Sequence, residues 1–163
     1  MEMTDLLTSG DAAISNCGQY RYQLRRTWSS GPECTFIMLN PSTADASEDD
    51  PTIRRCISFA KRERCGSLLV VNLFAFRATK PEDMAKAIDP AGPENPRYLD
   101  DALKNETAIA AWGAHWMAER AGKSLAQKYN LLCLGKTKSG APRHPLYVKG
   151  DAPLISLNQA DTQ

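Results

Sequence analysis

The chain is predicted to be a three-layer α/β/α domain built around a central four-stranded, mostly parallel sheet, with an N-terminal edge strand or hairpin. Three observations predict it. Four short runs, "CTFIML", "SLLVVNLFAF", "TAIAAWG" and "NLLCLG", are almost wholly apolar, as strands buried on both faces must be. Segments with helical punctuation separate them, giving the order strand–helix–strand–helix–strand–helix–strand. No repeat, low-complexity tract or long linker divides the 163 residues, so they form one domain, with residues 1–12 expected to pack loosely.

The elements follow in order. "YRYQLRRTW" (Tyr20–Trp28) alternates apolar with polar residues after Gly18 and reads as a half-exposed edge strand. "CTFIML" (Cys34–Leu39) reads as a central strand. Asp50-Pro51 has the form of an N-cap followed by proline in the first turn, opening a helix to about Arg64 whose buried face carries Ile53, Cys56, Ile57 and Ala60. Gly66 ends that segment, and Ser67–Phe76 forms the second buried strand. "KPEDMAKAI" reads as a short helix begun by Pro81, "DPAGPENP" as a loop and "RYLDDALKNE" as a helix. Thr107–Gly113 is the third strand, "AHWMAERAGKSLAQKY" a further helix and Asn130–Gly135 the fourth strand. "KTKSGAPRHPLYVKG" is a basic loop, and "APLISL" closes the chain as strand or coil.

Composition excludes several classes. The longest apolar run is half the ~20 residues that a membrane-spanning helix requires, and no leader is evident, so a cytoplasmic protein without membrane contact is expected. The five cysteines are scattered without Cys-x-x-Cys spacing, which argues for reduced thiols and against a metal or iron–sulfur cage; no metal and no cofactor is expected. The net charge of +1 conceals segregation. Residues 1–50 hold 3 basic and 8 acidic side chains, residues 51–80 hold 7 and 1, and residues 136–149 hold four basic and no acidic ones. A polyanion responds to such local patches rather than to the total.

Parallel strands joined by right-handed crossovers direct their carboxyl ends to one edge, where ligands of such sheets bind. The unusual polar residues fall there: Asn40-Pro41-Ser42 after the first strand, Asn72 within or ending the second, Trp112-Gly113 after the third, and Lys136 to Pro145 after the fourth. The candidate groups are the amides of Asn40 and Asn72, the Ser42 hydroxyl, the carboxylates of Asp45, Glu48, Asp49 and Asp50, and the imidazole of His144. An amide positions water or presents donor and acceptor to a heterocycle, and a loop imidazole stabilises developing negative charge. Asp50 reads chiefly as a helix cap and His115 as structural. Arg54, Arg55, Lys136, Lys138 and Arg143 are candidate phosphate contacts, and Phe74 and Phe76 candidate stacking rings.

The blocks "FIMLNPSTAD", "DPTIRRC", "NLFAFRATKP", "WG" and "HPLY", spread from Tyr20 to Leu157, resemble the bacterial and phage family known as domain of unknown function 1643. More distantly, the same blocks in the same order are similar to the uracil-DNA glycosylase superfamily. There "MLNPS" stands where one branch has Gly-Ile-Asn-Pro-Gly, "LLVVN" where it has a Leu-Leu-Leu-Asn-like block, "AAWG" where it has Leu-Trp-Gly, and "RHPLY" where it has His-Pro-Ser-Pro-Leu. That resemblance implies a uracil-DNA glycosylase-like fold and a DNA glycosylase-like hydrolase. Asn40 would hold the water, Asn72 would read the base with Ser42 and Phe74 beside it, His144 would stabilise the leaving base, and Leu146 would serve as a wedge. The sequence departs from the superfamily in lacking Ser-Pro before the wedge, in Met38 for glycine, and in an acidic segment from which Asp45 or Asp49 could act as base. Two other expectations stay open: a pocket that binds or hydrolyses free nucleosides or nucleotides, and a non-catalytic module binding nucleic acid or a protein partner.

Overall fold

In the computed structural model, residues 9–41, 49–104 and 107–158 are described. The strands are β1 (Ser9–Ile14), β2 (Arg21–Thr27), β3 (Glu33–Met38), β4 (Ser67–Asn72), β5 (Thr107–Ala110), β6 (Leu132–Cys133) and β7 (Ile155–Ser156). The α-helices among the described residues are α1 (Pro51–Arg62), α2 (Pro81–Ala85), α3 (Asn95–Ala102) and α4 (Trp116–Lys128), with a 3-10 turn at Pro145–Tyr147. The sheet is larger than expected: it is mixed and seven-stranded, in the order β1-β2-β4-β3-β5-β6-β7. Parallel pairing joins β4 to β3, β3 to β5 and β5 to β6. Antiparallel pairing adds the β1–β2 hairpin at one side and β7 at the other.

The two faces carry separate cores, sorted by the two-residue period of the strands. Leu68 and Val70 of β4, with Phe36 and Met38 of β3, pack against Ile53, Cys56, Phe59 and Ala60 of α1. Leu69, Val71 and Ile37 point the other way, toward Ala102 and Leu103 at the end of α3 and Ala118 of α4. By the same alternation the side chain of Asn72 lies on the α1 face.

Local chemistry explains the boundaries. The Asp50 side chain accepts a 2.9 Å bond from the Ile53 amide, and Pro51 fills the first helical position of α1, where its missing N–H costs nothing. Beyond α1 the chain turns through Gly66, whose Cα–H faces the Ser29 carbonyl so closely that a Cβ there would lie 2.5 Å from the oxygen. The Nε of the buried Arg26 donates to Asp49 at 2.8 Å, anchoring the approach to α1.

Four expectations change. Tyr20–Trp28 is not an edge strand: β2 is flanked by β1 and β4, and its pattern is more buried than half-exposed, with Leu24 in the core that packs against α1. Residues 9–12 therefore belong to β1 rather than packing loosely. The second strand ends at Asn72, after which Leu73 and Phe74 follow the β3 chain by donating to the Met38 and Leu39 carbonyls. Finally, α3 begins at Asn95, two residues before Arg97, since Pro96 serves in its first turn.

Gly122 stands inside α4, where glycine costs about 1 kcal/mol relative to alanine. It is required by packing: a Cβ there would come within 2.7 Å of the Trp112 ring. Gly122→Ala, normally stabilising in a helix, is therefore expected to lower the urea midpoint; a raised midpoint would show that Trp112 yields freely.

Candidate active site

The carboxyl ends of β3, β4, β5 and β6 share one edge, and their loops build the site. The register sets Asn72 opposite Met38, two residues before Asn40, so the two amides end neighbouring strands. Asn40 is half-buried, and its Nδ2 donates to the carbonyls of Pro41 (3.0 Å) and Ala78 (2.9 Å). Both protons being engaged by acceptors, the amide orientation is fixed. Its Oδ1 has no bonded partner among the described residues and is left as an acceptor.

Asn72 is the reverse case. It is 0% exposed, yet neither Oδ1 nor Nδ2 has a hydrogen-bond partner among the described residues. Buried polar atoms are nearly always bonded, and each one left unmade costs about 1–3 kcal/mol. Its backbone, in contrast, is braced. Asn95, itself 1% exposed, donates through Nδ2 to the carbonyls of Asn72 (2.9 Å) and Leu73 (3.2 Å). The strand end is thus held in place while its side chain is left unsatisfied.

His144 arrives after the basic hairpin. Within it Lys136 bridges Pro142, and the Arg143 amide donates to the Gly135 carbonyl at the end of the fourth parallel strand. The imidazole is half-buried, and its Nδ1 accepts from the Leu146 amide at 3.2 Å. A neutral His144 therefore carries its proton on Nε2. Burial pushes its pKa below the ordinary value of 6.5, opposed by the nearby Asp50 carboxylate. The ring is accordingly neutral near pH 7 and presents an N–H donor.

The remaining candidates divide. Ser42, Asp45 and Glu48 lie outside the described residues. Asp49 pairs with Arg26 and Asp50 caps α1, so both have structural partners. Phe74 is half-buried against the core on the face opposite α1, and Phe76 meets Tyr20 edge-on at 5.9 Å. Arg54 is exposed and donates to the Asp49 carbonyl. Arg55 is turned inward: its guanidinium donates to the carbonyls of Pro145 and Val148 and lies 4.9 Å from the Phe59 ring centre. It fastens the turn that carries His144 onto α1, and so puts His144 on the same face as Asn72. Lys138 and Arg143 are exposed, with Lys136 half-buried behind them. His115 caps α4 by accepting from Met117 at 3.2 Å, a structural role.

Two structural roles were not foreseen by sequence. Asn95 stood in a proline-flanked loop reading, and "ENP" signals only a helix start. Arg55 was read as a phosphate contact, because a helix pattern does not reveal carbonyls 90 residues away. No group of three or more His, Cys, Asp or Glu that could hold a metal ion occurs among the described residues, and no helix among them is long and apolar enough to cross a membrane.

Residues 21–146 match the family described as "Protein of unknown function (DUF1643)". The chain belongs to that family, and the match spans Asn40, Asn72 and His144. Neither the curated proteins nor the solved structures contain a match to it.

Two measurements probe this geometry. Asn72→Leu, which replaces the unpartnered amide with an apolar group of the same branching, is expected to raise unfolding stability by about 1–3 kcal/mol; a loss of that size would mean that the amide is bonded in solution. For His144, a folded pKa below the unfolded one means that the unfolded chain binds the extra proton first. Stability then declines as pH falls from about 6.5 toward the lowered value. His144→Gln should flatten that decline in denaturation series between pH 7 and pH 5.

Proposed function

We propose that this member of the DUF1643 family is a DNA glycosylase-like hydrolase that cleaves the N-glycosidic bond of a damaged or modified base. The observation that carries this reading is the buried amide of Asn72 at the carboxyl edge, which has no hydrogen-bond partner among the described residues. It offers one donor and one acceptor, the complement of a heterocycle edge, at a site where the chain otherwise gains nothing from a polar residue. The resemblance of the Asn40, Asn72, Trp112-Gly113 and His144 blocks to the uracil-DNA glycosylase superfamily supports the same reading, including its fold. Buried free thiols at Cys34, Cys56, Cys65 and Cys133 suit the proposed cytoplasmic setting.

In this mechanism a nucleotide leaves the stack and its base edge meets Asn72. The amide is fully enclosed, so the base reaches it only where the surrounding loops part. Asn40 Oδ1 accepts from a water and aims its lone pair at the sugar C1′. As the C1′–N bond breaks, its electron pair leaves with the base, and the neutral His144 donates from Nε2 to the developing anion. Asp45 is the proposed acceptor of the water's proton. Ser42 is assigned to the base, and Arg54, Lys136, Lys138 and Arg143 to phosphates; Phe74, packed into the core on the face opposite α1, lies across the sheet from Asn72 and does not take the base-binding role expected of it. Arg55 serves instead to position His144.

The enclosure of Asn72 favours one second reading, a pocket for a free nucleoside or nucleotide. Salt separates the two: binding through several phosphates weakens steeply as salt rises, whereas nucleoside binding does not.

The test is release of abasic sites from single- and double-stranded oligonucleotides carrying deaminated, alkylated or hypermodified bases, followed by alkaline cleavage. Wild type should cleave at one such base, with Asn40→Ala and His144→Ala each slower by about a hundredfold or more. Silence across the panel from a folded protein would overturn the DNA glycosylase reading.

A further inference from the structure

On the opposite side of the sheet from Asn72, beyond the carboxyl end of β5, lies an open cleft of about 440 Å³. Its lining includes Trp112, His115, Trp116, Ser139, Pro142 and Leu157. None of the residues assigned above to catalysis or base reading contributes to it. We propose that this cleft holds an unpaired nucleobase, and that the protein therefore acts on single-stranded DNA. The proposal rests on the glycosylase reading and specifies its substrate class.

Several features fit a flat aromatic ring. Trp116 opens α4 and is 70% exposed, an uncommon state for so large an apolar ring. Trp112 is 6% exposed and is seated against Gly122, so a glycine inside α4 is retained where the cleft has its inner wall. The Gly113 amide donates to the Pro142 carbonyl at 2.9 Å and fixes the opposite wall, which belongs to the basic hairpin.

Charge supplies the rest. The hairpin that lends Ser139 and Pro142 to the cleft carries Lys138 and Arg143 exposed on it, and neither forms a salt bridge among the described residues. An anionic group is less well served inside the cleft. The first turn of α4 is already capped by His115, whose Nδ1 accepts from Met117 and whose carbonyl accepts from Ala118, and Lys123 is paired with Glu119 at 3.2 Å. Ring inside and phosphate on the hairpin is the pattern of single-strand readers, where aromatic platforms alternate with cations. A base in a duplex is paired and stacked and cannot occupy such a cleft while another base is at the Asn72 face.

The test is binding of unmodified oligothymidylate, followed by quenching of tryptophan fluorescence, with the matched duplex as comparison. Wild type should bind the single strand more tightly than the duplex. Trp116→Ala should weaken single-strand binding by about tenfold, and Trp116→Phe should keep it. Ser139→Phe, which fills the mouth of the cleft from an exposed position, should weaken it as well. Equal affinity in Trp116→Ala and wild type, or preference for the duplex, would overturn the proposal. So would unquenched tryptophan accompanied by capture of an apolar peptide. Because no base is excised here, silence in the abasic-site assay leaves this result standing, and base release with unchanged Trp116→Ala affinity removes the cleft alone.

Discussion

The parallel register between β3 and β4 is the constraint on which the rest of the molecule depends. It sets Asn72 opposite Met38 and lets the chain after Asn72 run beside the chain before Asn40, through bonds from Leu73 and Phe74 to the Met38 and Leu39 carbonyls. A slip of one residue would send Asn72 to the other face and Leu73 into its place, since side chains alternate strictly along a strand. The separate cores forbid that slip. Phe36, Leu68 and Val70 are matched to α1, and Ile37, Leu69 and Val71 to the opposite face. Hydrophobic packing with no chemistry of its own thus determines where the chemical groups stand.

Given that frame, the site shows how polarity is distributed where it is costly. Asn95 spends both protons of its amide on two backbone carbonyls, Asn40 spends both of its own likewise, and Asn72 spends none among the described residues. Folding alone would favour an apolar residue at position 72, because an enclosed amide loses its water and recovers no bond. Its neighbours are braced so that this unfavourable group stays put. Such local conflict between stability and sequence is expected at sites of function rather than of folding, and the role proposed for Asn72 rests on it. His144 follows the same logic: burial disfavours its charged form, and the bond from Leu146 decides which nitrogen keeps the proton.

Much of this was legible in the sequence because the signals were local. Asp50-Pro51 determined the start of α1 through one side-chain bond and one missing N–H, and the apolar runs determined which strands lie inside the sheet. What was not legible depended on partners distant in the chain. The alternation of Tyr20–Trp28 suggested an edge because nothing in "SGDAAI" announces a strand: its residues are small and poor in β-branched or aromatic types. Phe59 looked no different from the exposed positions of its helix, though it is buried and flanked by Arg55 and Arg62. The cleft at Trp116 is formed where one face of α4 meets the segments 112–115, 139–142 and 157–158, and no local pattern encodes such a meeting.

The same distance effect changes the meaning of charge. Residues 51–80 contain seven basic side chains against one acidic, which looks like a polyanion-binding face. Much of that charge is consumed within the fold. Arg55 serves the Pro145 and Val148 carbonyls, Arg62 serves Glu63 and the carbonyls of Gly150 and Ala152, and Lys61 lies 5.4 Å from the Trp28 ring centre. These cations hold the 145–152 segment and the first tryptophan onto α1, so they act as fasteners rather than as an electrostatic surface. Arg54, Arg64 and Lys80 stay exposed, and so do Lys138 and Arg143 on the hairpin that leads into His144 and forms one wall of the Trp116 cleft. That hairpin stands between the His144 turn on one face of the carboxyl edge and the Trp116 cleft on the other, a placement that a counted charge on α1 could never have indicated.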